Sequence, residues 1–494
     1  MTYEGLSHPL AMTVFLATLL LPVLVGVLAM RRTSNQSDFL LGGRTMGRLV
    51  VALSAVSSGR SSWLVLGVSG MAYMRGTGAV WAVAGYTLAE LLQFVFIGRP
   101  LRVATGRHES LTLLDYFESR FNDTSHVIRI TGAIIIGVFL TAYVAAQFNA
   151  GAKALSTALD LPLLAALAIS GVLVMIYMVM GGFVAVAYND VVRAFILIVG
   201  LVVLPAAGLF RMGGIGPLLA TLEALHPAHV DPFSIGAGAL LGFLGIGLGS
   251  PGQPHVVVRY MSVDDPDRLR SAAVIGTIWN VVLGWGAVFI GLVGRAQISD
   301  PASLPGGNPE MVFLVLSSQG LGPLLYGLLV GGIFAAILST VDSQLLVVAS
   351  TAVRDVYEKI LMAGQPVSAR RALALNRIVI VVAGVGALAF AYAAQDLVFW
   401  LVLFAWGGLG AAIGPALILS LTWPRTTRAG VVAGMITGAV TTIVWKQLYS
   451  GPTGIYELLV AFPAAVAAIV IVSLTTAPQS PGPKTASIGS RPPV

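Results

Sequence analysis

Residues 50–73 read VVALSAVSSGRSSWLVLGVSGMAY, long enough to cross a bilayer yet with a permanent charge in the middle. At about 1.5 Å rise per residue, Arg60 stands about 15 Å from the start of that stretch and about 20 Å from its end. A charge at membrane depth is costly and by default marks a binding or coupling site. The plainer alternative is a side chain that snorkels to the nearest surface. Ser57, Ser58, Gly59, Ser61 and Ser62 surround Arg60, so the middle of the helix is polar and easily unwound. A helix broken around a fixed charge decides how the rest of the chain is read.

Composition agrees with that reading. Hydrophobic residues make up 57% of the 494 and charged residues only 10%, against about 25% charged in soluble domains, and the mean hydropathy is +0.89. The expectation is a polytopic membrane protein in a lipid bilayer, all-α and without a soluble domain. Spans of about 17–25 apolar residues divide it into thirteen helices. Their approximate limits are 9–30, 46–73, 77–98, 128–156, 162–181, 190–210, 233–255, 271–294, 321–352, 372–393, 397–423, 429–446 and 456–475. Met1–Pro9 is too polar for a cleavable signal, so the first span is expected to be retained. The Pro-, Ser- and Gly-rich residues 476–494 read as a disordered tail. There is no cysteine, which excludes disulfides and thiolate metal sites.

The net charge of +7 would suit nucleic acid if it were concentrated on one surface of a soluble domain. Instead most of the basic residues follow the odd-numbered spans: Arg31, Arg44, Arg102, Arg120, Arg259, Arg268, Arg354, Lys359, Arg425 and others. Only Arg75, Arg211, Arg295 and Lys446 fall on the opposite side. The positive-inside rule then puts the N-terminus outside and the C-terminus in the cytoplasm. The surplus is topological, and no nucleic-acid partner is expected.

A second span is interrupted in a similar way. Residues 241–255 read LGFLGIGLGSPGQPH, and so many helix breakers survive in hydrocarbon only where they line a cavity or a ligand. The breaks fall in the second and seventh spans, five helices apart, which points to an inverted-repeat architecture with a midplane binding site. Close-packed glycine-rich helices are the alternative. Acids add to the picture. Asp190 and Arg193 form an i,i+3 pair at the start of the sixth span, which also reads as a helix-start carboxylate beside a juxtamembrane cation. In the ninth span, Ser339, Asp342 and Ser343 share one helical face, with Thr340 off it. Such oxygen-rich groups suit Na⁺ or a proton relay, whereas hydroxyls alone would more often be packing contacts.

Five blocks carry a resemblance to a known family: LTLLDYFESRFND (111–123), GGFVAVAYND (181–190), GQPHVVVRYM (252–261), STVDSQLLVVAS (339–350) and FAWGGLGAAIGPALILSLTWPRTTRAGVVAGMITGA (404–439). Over roughly residues 40–475 the chain resembles the sodium:solute symporters, in particular their sodium/proline branch. The resemblance implies about thirteen transmembrane helices in a LeuT-like five-plus-five inverted repeat with two broken helices. Residues 1–45 would hold an extra helix and loop, 46–215 the first repeat, 216–423 the second, 424–475 two C-terminal helices and 476–494 the tail. It implies a main cation site at Ser57, Arg60, Ala336, Ser339 and Thr340. A second cation or proton site would involve Asp190, Asp342 and Ser343. A solute pocket for a small zwitterion or carboxylate would be lined by Trp63, Tyr143, Gln147, Ile246, Ser250 and Pro254. No cofactor is implied beyond Na⁺ or H⁺ as coupling ion.

Departures from the branch qualify this. It has an Asp where Gly59 stands, aromatics where Ile246 and Ser250 stand, and usually Gln where Arg193 stands. Proline is therefore disfavoured as the solute. Two positive charges about 4 Å apart repel by roughly 4 kcal/mol at an effective dielectric of 20. An Arg60 pointing into the main site would thus exclude Na⁺ and act as a tethered cation, with Asp342 its first expected partner and Asp190 the next. One of these acids would then be the proton carrier, or an Arg60–Asp342 pair would be a static strut. The expected function is secondary active import of a small organic solute by alternating access, with proton coupling or no coupling as alternatives to Na⁺. The other class considered is a transporter-like receptor signalling through a partner. No nucleophile–base pair or metal cluster suggests an enzyme.

Overall fold

In hydrocarbon a chain can satisfy its backbone polar groups locally only by forming helices, and the long Leu/Val/Ala/Ile runs of this protein do so. A computed structural model describes residues 5–30, 35–178, 182–319, 321–363, 365, 367–393 and 397–476. Residues 477–494 of the expected tail and the basic pair Arg31 and Arg32 lie outside the described residues. The principal helices are α1 (Pro9–Met30), α2 (Arg48–Ser62), α3 (Ser69–Arg75), α4 (Val80–Leu92), α5 (Arg99–Arg107), α6 (Leu113–Phe121), α7 (Val127–Leu159), α8 (Leu163–Met178) and α9 (Phe183–Arg211). They continue as α10 (Gly236–Gly245), α11 (Pro254–Ser262), α12 (Leu269–Gln297), α13 (Gly322–Ser350), α14 (Ala369–Ala393), α15 (Val398–Thr422), α16 (Arg428–Leu448) and α17 (Leu458–Thr475). Strand pairing among the described residues is limited to a single bridge between Met46 and Val263.

Among the described residues, ten helical stretches are long and apolar enough to cross a membrane. Thirteen crossings is a finer division than length and hydropathy decide, for a physical reason. The 60 residues of Arg48–Arg107 count as one stretch, though as a single rod they would measure about 90 Å, and Gly76 at φ 61° breaks it. In the other direction, α8 has 16 residues and α10 has 10, both short of a full crossing.

Both interrupted helices are interrupted in the structure. In the first, residues 57–60 remain helical and the break falls at Ser61, whose φ of 18° and ψ of −170° are not helical. Local polar groups take over the lost backbone bonds. The Ser61 hydroxyl accepts from Trp63 N–H at 3.1 Å and Gln147 Oε1 accepts from Ser62 N–H at 3.1 Å. A wider π-helical turn, Trp63–Val68, then leads into α3. In the second, α10 tightens into a 3-10 turn over Ile246–Gly252, and Gln253 (φ −92°, ψ 99°) is extended. The helix restarts with Pro254 in its first turn, where a missing N–H is harmless. Glycine is required here by proximity: a Cβ on Gly249 would lie 2.2 Å from Trp406 Nε1, and one on Gly252 would lie 2.4 Å from Leu409 O.

The connections sort into two faces. Arg44 donates to Thr105 O (2.9 Å) and Ser110 O (2.7 Å), and Arg102 donates to Val263 O (2.7 Å). Arg354 pairs with Asp115 at 3.5 Å. These contacts join the segments following the first, third, seventh and ninth spans, which the charge pattern places on one side. On the other face Tyr73 bonds to Ile298 O, Trp81 to Pro232 O and Arg211 to Gln319 O. Against this frame α2 packs on α9, α12 and α13, which brings the first break to the acids of α9 and α13.

Candidate functional site

Three serines of α2, Ser54, Ser57 and Ser58, face α9 and α13. Ser54 and Ser58 donate to Asp190 Oδ2 at 2.6 and 3.1 Å, and Ser57 donates to Asp190 O at 3.2 Å. From α13, Thr340 donates to Ser58 O at 3.2 Å, and the Ser343 hydroxyl lies 3.1 Å from that of Ser58. Ala336 and Ser339 are fully buried, and Ser339 Oγ has no hydrogen-bond partner. Residues of the two expected cation sites therefore do converge, from three helices, just before the break at Ser61.

Arg60 lies elsewhere. Its Nε donates to Asn280 Oδ1 of α12 at 2.7 Å, its Nη2 is 3.6 Å from Glu90 Oε2 of α4, and the guanidinium carbon stands 3.4 Å from the centre of the Tyr86 ring. The expected pairing of Arg60 with Asp342 or Asp190 is thereby corrected. At the end of α2 the side chain is directed toward α4 and α12, away from α13. The acids have other cations: Arg193 Nη1 is 2.6 Å from Asp342 Oδ2, and Arg259 Nη2 is 3.2 Å from Asp190 Oδ2. Arg259, expected among the loop charges, is 1% exposed inside α11 and also donates to Ser54, Ser343 and His255 O.

The six residues expected around the solute are all buried. Gln147 Oε1 accepts from both the N–H and the hydroxyl of Ser62, so it sits at the first break. Trp63 stacks on Phe399 (5.8 Å between centroids) and faces Tyr86 (6.1 Å). Tyr86 in turn faces Trp406 (5.2 Å), whose indole N–H bonds to Ile246 O at 2.8 Å. Ser250 donates to Gln93 of the third span, and Tyr143 meets His255 edge-on at 5.8 Å. These contacts link Trp63, Gln147 and Ile246 around the two breaks. Pro254 instead lines a cavity with Arg259, Ser343, Thr112 and Asp355, reaching from the acid cluster toward the basic face.

That face is closed by ions. Arg129 of α7 is 1% exposed and binds Asp115 (2.9 Å), Glu118 and Asp355, while Thr112 donates to Asp355 at 2.8 Å. Burial works to raise the Asp115 carboxyl, but Arg129 and Arg354 prevail and hold it below its ordinary 3.8. Glu90, Asn280, Arg259 and Arg129 escape a reading by spans. The signal for Glu90 was nonetheless present, as an acid within the otherwise apolar third span.

The sodium:solute symporter family model matches residues 39–438. The sodium/proline symporter of Escherichia coli (strain K12) is 35% identical over 475 residues, covering 95% of this chain and 94% of that one. The chain belongs to the sodium:solute symporter family. The osmoregulated proline transporter of Bacillus subtilis (strain 168) is 32% identical over 458 residues, 92% of each chain. In structure, this symporter resembles a substrate-bound, outward-open Na⁺-coupled sialic acid symporter, with a TM-score of 0.79 at 20% identity over 95% of this chain and 98% of that one. It therefore shares the two-repeat, broken-helix fold of such transporters. The protein is a multi-pass membrane transporter, a secondary active carrier of a small solute and not an enzyme; the receptor alternative is not favoured.

Proposed function

We propose that this symporter couples Na⁺ entry to import of a small zwitterionic amino acid or related carboxylate. The observation that carries the Na⁺ reading is the pairing of Thr340 Oγ1 with the Ser58 carbonyl, 3.2 Å apart, beside the partnerless hydroxyl of Ser339. Hard oxygens at a helix break, with no fixed charge among them, suit an alkali cation. The charge argument against Na⁺ rested on Arg60, whose guanidinium is engaged by Glu90 and Asn280 instead. The relatives named above as sodium/proline and proline transporters lend support to an amino-acid solute.

For the solute, Trp63, Tyr143 and Gln147 supply an aromatic wall and a polar contact, as small-molecule pockets require. Ile246 and Ser250 stand where the proline branch presents aromatics, which favours a solute other than proline. The repeats are read as 46–215 and 216–423. The charge pattern orients the N-terminus outside and the C-terminus in the cytoplasm, and on that reading the cavity lined by Pro254, Arg259 and Asp355 is the inward path. Uptake into proteoliposomes tests the proposal, with amino acids and carboxylates screened under separately imposed Na⁺ and pH gradients. Saturable Na⁺-driven uptake of one such solute is expected, with L-proline a weak competitor. Uptake driven by a proton gradient and indifferent to Na⁺ would overturn it.

A further inference from the structure

We propose that Arg193 is the resident cation of the Asp190–Asp342 carboxylate pair, so that this pair is a cation site closed by the chain itself. Arg193 Nη1 stands between the two acids, 2.6 Å from Asp342 Oδ2 and 3.8 Å from Asp190 Oδ1. That Asp190 oxygen is buried and accepts no hydrogen bond. The hydroxyls of Ser54 and Ser58 bond to the other Asp190 oxygen, Oδ2, and that of Ser343 to the other Asp342 oxygen, Oδ1. Two carboxylates, from α9 and α13, that turn one oxygen each toward a common point and are held from behind by hydroxyls suit a hard cation. The point between those two oxygens holds a guanidinium nitrogen of Arg193.

Charge counting says why no further ion enters. Asp190 and Asp342 carry two negative charges, Arg193 and Arg259 two positive, and all four side chains are at most 2% exposed. The cluster is neutral as built, and an added cation would leave a buried, uncompensated positive charge. Arg259 belongs to the surrounding frame: it binds Ser54, Ser343 and His255 O besides Asp190. Arg193 is the member that bridges both acids. Removing it alone leaves one net negative charge among oxygen ligands, and so exposes the site.

This inference rests on the Na⁺ reading above, but its test does not share that reading's fate, because it counts ions bound and not solute moved. Radioactive Na⁺ binding is titrated on the purified full chain for wild type, Arg193→Gln, Arg193→Gln/Asp342→Asn and Asp342→Asn. Arg193→Gln is expected to bind one Na⁺ more per chain than wild type. The neutral double variant should return to the wild-type number. Asp342→Asn alone should leave the number unchanged, since its carboxylate holds an arginine and no ion. A wild type that binds no Na⁺ sinks the coupling proposal, while a gain of one ion in Arg193→Gln still supports this one. A folded Arg193→Gln with no added ion would overturn it. Should that variant fail to fold, loss of one ion in Asp342→Asn would do the same, and an unchanged number there would support it.

Discussion

Arg60 Nη2 lies 3.6 Å from Glu90 Oε2, and Asn280 ties the two together, accepting from Arg60 Nε at 2.7 Å and donating to the same carboxylate. The charge in the first broken helix is thus balanced across the α2–α4 contact, and Arg60 adds no charge to the hydroxyl-lined side of the break. The Tyr86 ring under the guanidinium adds a cation–π contact, worth about 2 kcal/mol when desolvated.

Glu90→Ala should destabilise the protein by about 3–5 kcal/mol, because it strands a buried guanidinium. Arg60→Met/Glu90→Leu should recover most of that loss. Thermal unfolding in detergent measures both. Arg60→Met should also leave the sodium dependence of uptake in place, and its disappearance would put Arg60 back in the cation site.

Ser339→Ala and Thr340→Ala remove oxygens from the proposed Na⁺ site while leaving its surroundings intact. A hydrogen-bonding group facing a charge contributes about 1.5–3 kcal/mol, so each should raise the Na⁺ concentration for half-maximal uptake about 10- to 100-fold. Measured against saturating Na⁺, the maximal rate should fall far less. Ala at either position with an unshifted Na⁺ titration would place the ion elsewhere.

Gly59 is held small by a neighbour. A Cβ there would lie 2.2 Å from Tyr86 Oη, a hydroxyl with no hydrogen-bond partner of its own. Gly59→Ala should cost about 1–3 kcal/mol through overpacking and disturb the ring beneath Arg60. Adding Tyr86→Phe removes the clashing oxygen and should restore stability and uptake together.

Asp115 sets a pH window on the basic face. Its folded carboxyl is held below 3.8 by Arg129 and Arg354 against the opposing effect of burial. A depressed acid contributes stability fully above its unfolded value and loses it as pH falls through the folded one. Stability from this group should be constant from pH 7 to about 4 and fall only below 3.8. Asp115→Asn should lower stability by about 3 kcal/mol at neutral pH, and the gap to wild type should close in acid. Paired unfolding curves across pH check this.

Several features were legible along the chain because the bilayer imposes one-dimensional rules. Hydrocarbon leaves the backbone only helical solutions, so the apolar runs mark the helices. Glycine, serine and proline mark where helices fail, as in 57–62 and 241–255, although the break itself moved to Ser61, where Ser61 and Gln147 could replace the lost bonds. Basic residues mark one face, and the structure does gather Arg44, Arg102 and Arg354 there. Charge pairing was not legible. Nothing in the residues around Arg60 tells Glu90 from Asp342 as its partner, and only the packing of α2 against α4, α9, α12 and α13 chooses between them. An ion pair depends on distances of a few ångströms between helices, and nothing local in sequence encodes these. Tertiary structure alone decided that Arg193, rather than Arg60, stands between the two aspartates, and that Arg259 is a buried strut and no loop charge.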